Sequence, residues 1–212
     1  MKKIIFAVPK GRILEELMPL LSKVDIVPEE DFFNESSRKL VFTTNRPNLD
    51  LVKVRSFDVA TFVKFGAADL GVCGLDVIKE FPSAEIFPVL DLGIGKCRLS
   101  VAGKKSAKLD LENRSHVRLA TKYTSISSDY FSELGIQAEA IKLNGAIEIA
   151  AKLGLCDFIV DLVSSGKTLI ENDMVELKKI IDVSSFLTVN RTAFKTSNYE
   201  INQIIKAFNA AL

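Results

Sequence analysis

Apolar residues fall along the chain in short blocks of two alternating kinds. Ile4 to Val8 is a continuous β-rich run, as a strand buried on both faces requires, whereas Ile13 to Val24 carries Leu14, Leu17, Leu20 and Leu21 on one helical face. The same reading places strands at Leu40 to Thr44, Leu49 to Arg55, Leu70 to Cys73, Ile86 to Leu90 and Arg98 to Ala102. Further strands are expected at Val117 to Thr121, Ala138 to Leu143 and Phe158 to Val163. Helices are expected at Asp58 to Phe65, Ser127 to Leu134, Ala146 to Leu153 and Asn198 to Ala211, with Ser197 placed to cap the last. Such alternation predicts an α/β protein with mostly parallel sheets.

Gly103 to Ser115, rich in Lys, Asp, Asn and Ser, is the most loop-like stretch and separates a β-dense block from a second βαβαβ block. It reads as a connector between two compact lobes. No internal repeat and no low-complexity tract is visible.

Composition narrows the function class. The chain has 212 residues, 48% of them hydrophobic, with 28 Lys plus Arg against 27 Asp plus Glu. These are ordinary globular proportions, and the core needs no disulfide or structural metal. A net charge of +1 gives no field to attract polyanions, so neither nucleic acid nor an acidic membrane surface is an expected partner. Any anionic ligand must be held locally. Met1-Lys2-Lys3 before Ile4 to Val8 mimics the start of an export signal, but the run stops at Pro9-Lys10-Gly11-Arg12. No apolar stretch approaches the roughly 18 residues of a spanning helix, so the expectation is a soluble, cytoplasmic protein. Cys73, Cys97 and Cys156 are widely spaced and His116, in a polar loop, is the sole imidazole, which reads as reduced buried thiols and no protein metal site.

The most informative segment is the apolar strand Phe158 to Val163, carrying Asp161, followed by Ser164-Ser165-Gly166-Lys167-Thr168. Small residues let backbone N–H groups converge on an anion, the hydroxyls add donors, and the next helical turn offers its positive end. Asp161 could accept hydrogen bonds from sugar hydroxyls. The segment is not a nucleoside-triphosphate P-loop, because Asp161 stands where that motif has its first glycine. A phosphate cradle and a plain strand-to-helix turn both fit it. Pro9-Lys10-Gly11-Arg12 puts two cations and a glycine at a strand's carboxyl end, where ligand crevices form in open α/β sheets. Arg38 precedes one strand and Arg55 ends another, and guanidinium groups suit phosphate. Gly66 to Gly74, around Gly71 and Cys73, allows either a flat nucleobase or tight helix–sheet packing. Glu148, in a first helical turn after Lys142 to Ala146, is by itself a helix-dipole partner, and Thr121-Lys122-Tyr123 raises the same choice between ligand and structure.

Four segments in order and spacing, Val8 to Arg12, Gly66 to Gly74, Ala120 to Tyr123 and Asp161 to Leu169, resemble the ATP phosphoribosyltransferase family of histidine biosynthesis, a likeness running from about Ile4 to Asn190. The resemblance implies a pentosyltransferase that joins phosphoribosyl pyrophosphate to ATP with Mg2+, the metal carried mainly by substrate phosphates. It implies a two-lobed fold similar to periplasmic binding proteins, the active site lying in the inter-lobe cleft. Residues 1–91 with 182–212 would form the first lobe and 92–181 the second. Asp161, Ser164, Ser165, Gly166, Lys167 and Thr168, with Glu148, would then bind phosphoribosyl pyrophosphate. Lys10, Gly11, Arg12, Arg55, Gly71 and Cys73 would serve ATP, with Lys10, Arg12 and Arg38 as the catalytic cations. Ending at Leu212, the chain resembles the short form of the family, which implies a homodimer inside a hetero-oligomer with a regulatory subunit similar to histidyl-tRNA synthetase. A non-catalytic cytosolic module that binds a small anion or nucleotide is the competing expectation.

Overall fold

The first apolar run becomes β1 (Ile4–Pro9), and its two faces are buried against different partners. Ile4, Phe6 and Val8 pack in a cluster with Leu17 and Leu21 of α1 (Arg12–Lys23), while Ala7 packs with Val59 and Val63 of α2 (Ser56–Lys64). That two-sided burial explains a strand without polar alternation. The computed structural model describes residues 3–105 and 114–212. Residues 106–113 of the expected connector lie outside them, as do Met1 and Lys2.

The chain continues through β2 (Val41–Thr43) and β3 (Leu49–Val54) ahead of α2, then β4 (Leu70–Gly74), α3 (Leu75–Glu80) and β5 (Ile86–Asp91). Next come β6 (Cys97–Lys104), β7 (His116–Thr121), α4 (Thr124–Glu133), β8 (Gln137–Lys142), α5 (Ile147–Lys152), β9 (Phe158–Val163), α6 (Lys167–Glu171) and β10 (Met174–Val183). β11 (Ser185–Asn190), α7 (Arg191–Thr196) and α8 (Asn198–Ala211) complete the described order. The chain divides into two compact units, Met1–Gly95 with Ser184–Leu212, and Lys96–Val183.

In the first unit the described residues form a six-stranded sheet of order β2-β3-β1-β4-β11-β5. β3, β1 and β4 run parallel, whereas β2 and β11 are antiparallel to their neighbours. α8 lays Ile201, Ile204 and Phe208 on the α1 face, and Phe208 meets Phe6 edge-to-face at 6.2 Å. Ser197 makes no side-chain cap to α8. A cap appears instead on α7, where the Asn190 side chain accepts the Ala193 N–H at 2.9 Å.

The second unit holds a five-stranded sheet of order β10-β6-β9-β7-β8. β9, β7 and β8 are parallel, and β6 and β10 are antiparallel additions. Both sheets are therefore mixed, which corrects the expectation of mostly parallel ones. The difference lies mainly in β10 and β11, which the hydrophobic pattern does not announce. β10 is an edge strand broken by two register shifts and its burial does not alternate, so the period-2 signal is lost. His116 opens β7 rather than sitting in a loop, and it is exposed.

Candidate active site

Three strand-to-helix turns of the second unit leave the carboxyl ends of neighbouring parallel strands. Lys122-Tyr123 follows β7, Leu143 to Ala146 follows β8, and Ser164-Ser165-Gly166 follows β9. Crevices form at such ends because adjacent turns diverge into different helices. Thr121, fully buried, ties the turn after β7 to strand β9. Its Oγ1 donates to the Val160 carbonyl at 2.7 Å and accepts the Tyr123 N–H at 2.9 Å.

The turns after β7 and β9, with Glu148 from α5 beyond the third turn, bound a cavity of about 350 Å³ lined by Lys122, Tyr123, Glu148, Asp161 and the stretch from Leu162 to Leu169. Two carboxylates thus share a hollow with two lysines and an exposed Ser-Ser turn. Ala146 precedes Glu148 in the left-handed region at φ 50°, a conformation that a residue with a Cβ adopts only under tertiary constraint. Gly166, at φ 77°, turns the chain into α6. A Cβ there would have Val163 Cγ1 no nearer than 4.0 Å, so backbone conformation and not space selects glycine. Ser165 Oγ accepts the Lys167 N–H at a long 3.4 Å.

Beneath the turn, antiparallel pairing sets Arg98 opposite Val163 and Ser100 opposite Asp161. The Arg98 guanidinium takes both oxygens of Glu176, with Nε to Oε1 at 2.6 Å, and its Nη1 donates to the Ser164 carbonyl at 3.2 Å. Ser100 Oγ donates to Glu176 Oε1 at 2.7 Å. Hydrogen bonding from Arg98 holds the Glu176 carboxyl below the usual carboxylate range, against the opposing effect of burial.

In the first unit the sheet gathers cations at one end. Parallel pairing aligns Pro9 with Val54, and the Lys10 N–H donates to the Val54 carbonyl at 2.8 Å, so Lys10-Gly11-Arg12 and Arg55 leave neighbouring strand ends. β2 runs antiparallel to β3 from Val41 opposite Val52, which brings the preceding Arg38 in at that same end. Lys10, Arg38 and Arg55 are exposed. Arg12 Nε lies 3.5 Å from Glu16 Oε1, and both side chains are exposed. Gly11, at φ 84° and ψ −152°, occupies backbone space reserved for glycine.

Gly71 and Cys73 stand apart from this set. A Cβ on Gly71 would come within 2.6 Å of Val63 and 2.7 Å of Val59, so the glycine is there for the close approach of α2. Cys73 is buried in the same cluster, and desolvation pushes its thiol up to about 12. Packing accounts for both residues, which removes their ATP role from our reading. Lys122 and Tyr123, which the sequence leaves open between ligand and structure, line the cavity. Their signal was the strand end at Thr121.

The model of the family described as HisG, ATP phosphoribosyltransferase, matches residues 55–210. The chain belongs to the ATP phosphoribosyltransferase family. The ATP phosphoribosyltransferase of Rhodospirillum rubrum is 54% identical over 211 residues, 99% of this chain and 93% of that one. The enzyme of Sphingopyxis alaskensis is 53% identical over 209 residues, 99% of this chain and 94% of its own length. Among solved structures, the ATP phosphoribosyl transferase (HisG:HisZ) complex from Thermotoga maritima holds a chain that superposes with a TM-score of 0.83 at 27% identity, covering 98% of each. The α/β fold in two units is thus that of the ATP phosphoribosyltransferases.

Proposed function

We propose that this chain transfers the phosphoribosyl group of phosphoribosyl pyrophosphate to N1 of ATP and releases pyrophosphate, the first step of histidine biosynthesis. The observation that carries the reading is the second unit's cavity, in which a Ser-Ser-Gly turn and two carboxylates face one hollow of about 350 Å³. The turn from Ser164 to Thr168 takes the donor's 5′-phosphate through backbone N–H groups and hydroxyls. Asp161 and Glu148 accept hydrogen bonds from ribose hydroxyls, which fixes the sugar ring.

Adenine N1 attacks the anomeric carbon as the bond to pyrophosphate breaks, through a transition state with oxocarbenium character. No protein nucleophile is needed. The protein contributes by holding two substrates in line and by compensating charge on the departing group. Lys10, Arg12 and Arg38 supply that charge, with Arg55 and the Gly11 backbone on the ATP side. Lys122 and Lys167 neutralise phosphate within the donor cavity. A carboxylate pair beside phosphate oxygens suits Mg2+, which takes one or two carboxylates and fills its shell with substrate oxygens and water. When bound, the ion neutralises pyrophosphate, and Asp161 with Glu148 would face it.

The Thermotoga maritima complex pairs HisG with HisZ. A regulatory subunit of the HisZ kind is the corresponding partner here, joined to a homodimer of this chain. A cytoplasmic location accompanies the reading.

The test is pyrophosphate release from phosphoribosyl pyrophosphate and Mg2+, with and without ATP, by this chain alone and with a HisZ subunit. ATP-dependent release is expected. Folded protein that binds donor or ATP yet releases nothing under any condition would instead be a binding module.

A further inference from the structure

The donor turn is held from below by side chains that lie outside the cavity. Glu176 fixes the Arg98 guanidinium as a planar fork, Nε and Nη2 each meeting one carboxylate oxygen, and Ser100 Oγ completes the acceptor at 2.7 Å. This leaves Nη1 aimed at the Ser164 carbonyl, 3.2 Å away. In a trans peptide the carbonyl and the following N–H point in opposite directions. A guanidinium that captures the Ser164 carbonyl therefore turns the Ser165 N–H to the other side of the chain. The β10 register shift between Glu176 and Lys178 belongs to the same arrangement, since bulges re-aim side chains next to functional sites.

We propose that Arg98 is a positioning residue for the donor turn, locking the Ser164–Ser165 peptide so that its N–H is presented to the phosphate, with Glu176 and Ser100 fixing the guanidinium. The proposal rests on the reading of that turn as the phosphoribosyl-pyrophosphate site. Arg98 touches no substrate in this account. Its effect is pre-organisation, since a turn already held in its binding shape pays no ordering cost when phosphate arrives. The arginine cannot be exchanged for lysine, because one ammonium cannot span two carboxylate oxygens and also reach a backbone carbonyl in the fork's plane.

The experiment is calorimetric titration of phosphoribosyl pyrophosphate with Mg2+, and separately of ATP, into wild type, Arg98→Ala and Arg98→Lys, each checked for folding by circular dichroism. Losing a charge-assisted contact that organises the site should raise the donor Kd about tenfold or more in Arg98→Ala, with the ATP Kd within about twofold of wild type. Guanidinium at low millimolar concentration should recover most of the donor affinity of Arg98→Ala, which a general loss of packing would not allow. Arg98→Lys should lose donor affinity about fivefold or more, and it decides the question if the alanine variant does not fold. A folded variant with unchanged donor Kd overturns the brace while leaving the functional reading intact. Equal weakening of donor and ATP without guanidinium recovery overturns it as well. Wild type without affinity for the donor would overturn both readings.

Discussion

Gly166 is held at φ 77° with open space where its side chain would lie, so a substitution there acts through the backbone. A β-branched residue is poorly tolerated in that region, at a cost of order 1 to 3 kcal/mol, and the turn relaxes to relieve it. Gly166→Val should therefore weaken phosphoribosyl-pyrophosphate binding about tenfold or more while leaving ATP binding near wild type, as calorimetry would read. Undiminished donor affinity would dissociate the turn from the phosphate. Arg12 differs, because its side chain is exposed and its ion pair with Glu16 contributes little to stability. Arg12→Ala should keep the melting temperature and lower kcat about tenfold or more, the measure of one charge-assisted contact to a leaving group. Steady-state kinetics with wild-type turnover would take Arg12 out of the chemistry. Both residues stand out in the sequence, since glycine beside small hydroxyl residues and cations after a strand are local signals. Arg98 and Glu176 were invisible there, because each has meaning only once β6 and β10 are paired.

At the scale of the element, α2 and β4 approach closely because Gly71 presents no side chain to Val59 and Val63. Gly71→Ala should destabilise the protein by about 1 to 3 kcal/mol through overpacking, seen as a lower melting temperature. An unchanged melting temperature would mean that α2 shifts freely on the sheet. The apolar blocks forecast β1, β9 and α8 closely, since burial on both faces or along a helical stripe leaves an unmistakable period. Gly71 was read two ways from sequence because a glycine that admits a ligand and one that admits a helix look identical. β10 went unread for a different reason. It is an edge strand with Lys178 and Lys179 in its exposed centre and bulges on either side, features that guard an edge while erasing alternation. β11 is an interior strand of the sheet, and its antiparallel entry between β4 and β5 cannot be inferred from a βα rhythm.

Across the whole molecule, the thiols divide by burial. Cys73 and Cys156 are buried, and desolvation raises both thiols, Cys73 to about 12. A raised thiol means that the protonated form favours the folded state. The contribution of Cys73 is complete below the unfolded thiol's value of roughly 8.5 and is lost as pH climbs toward 12. Native protein treated with iodoacetamide at pH 8 should leave Cys73 unmodified, while denatured protein is labelled fully, as peptide mass spectrometry would show. Rapid native labelling of Cys73 would contradict a sealed β4. The chain also passes out of its first unit at Gly95 and returns at Ser184, the returning strand being stitched to the departing one by Ser185 N–H to Ile94 carbonyl at 2.9 Å and Leu92 N–H to Ser185 carbonyl at 2.9 Å. β11 then fills the place between β4 and β5, so the amino-terminal sheet lacks an interior strand until Ser185–Asn190 have been made, after the whole of the second unit. Biosynthesis consequently runs against the usual order, in which the first segment translated is the first to fold. The inserted unit, whose residues are contiguous, can close on itself during translation, while the strand edges of β4 and β5 that β11 pairs, and the apolar patch on the α1 face that α8 covers, must wait for partners still to emerge from the ribosome.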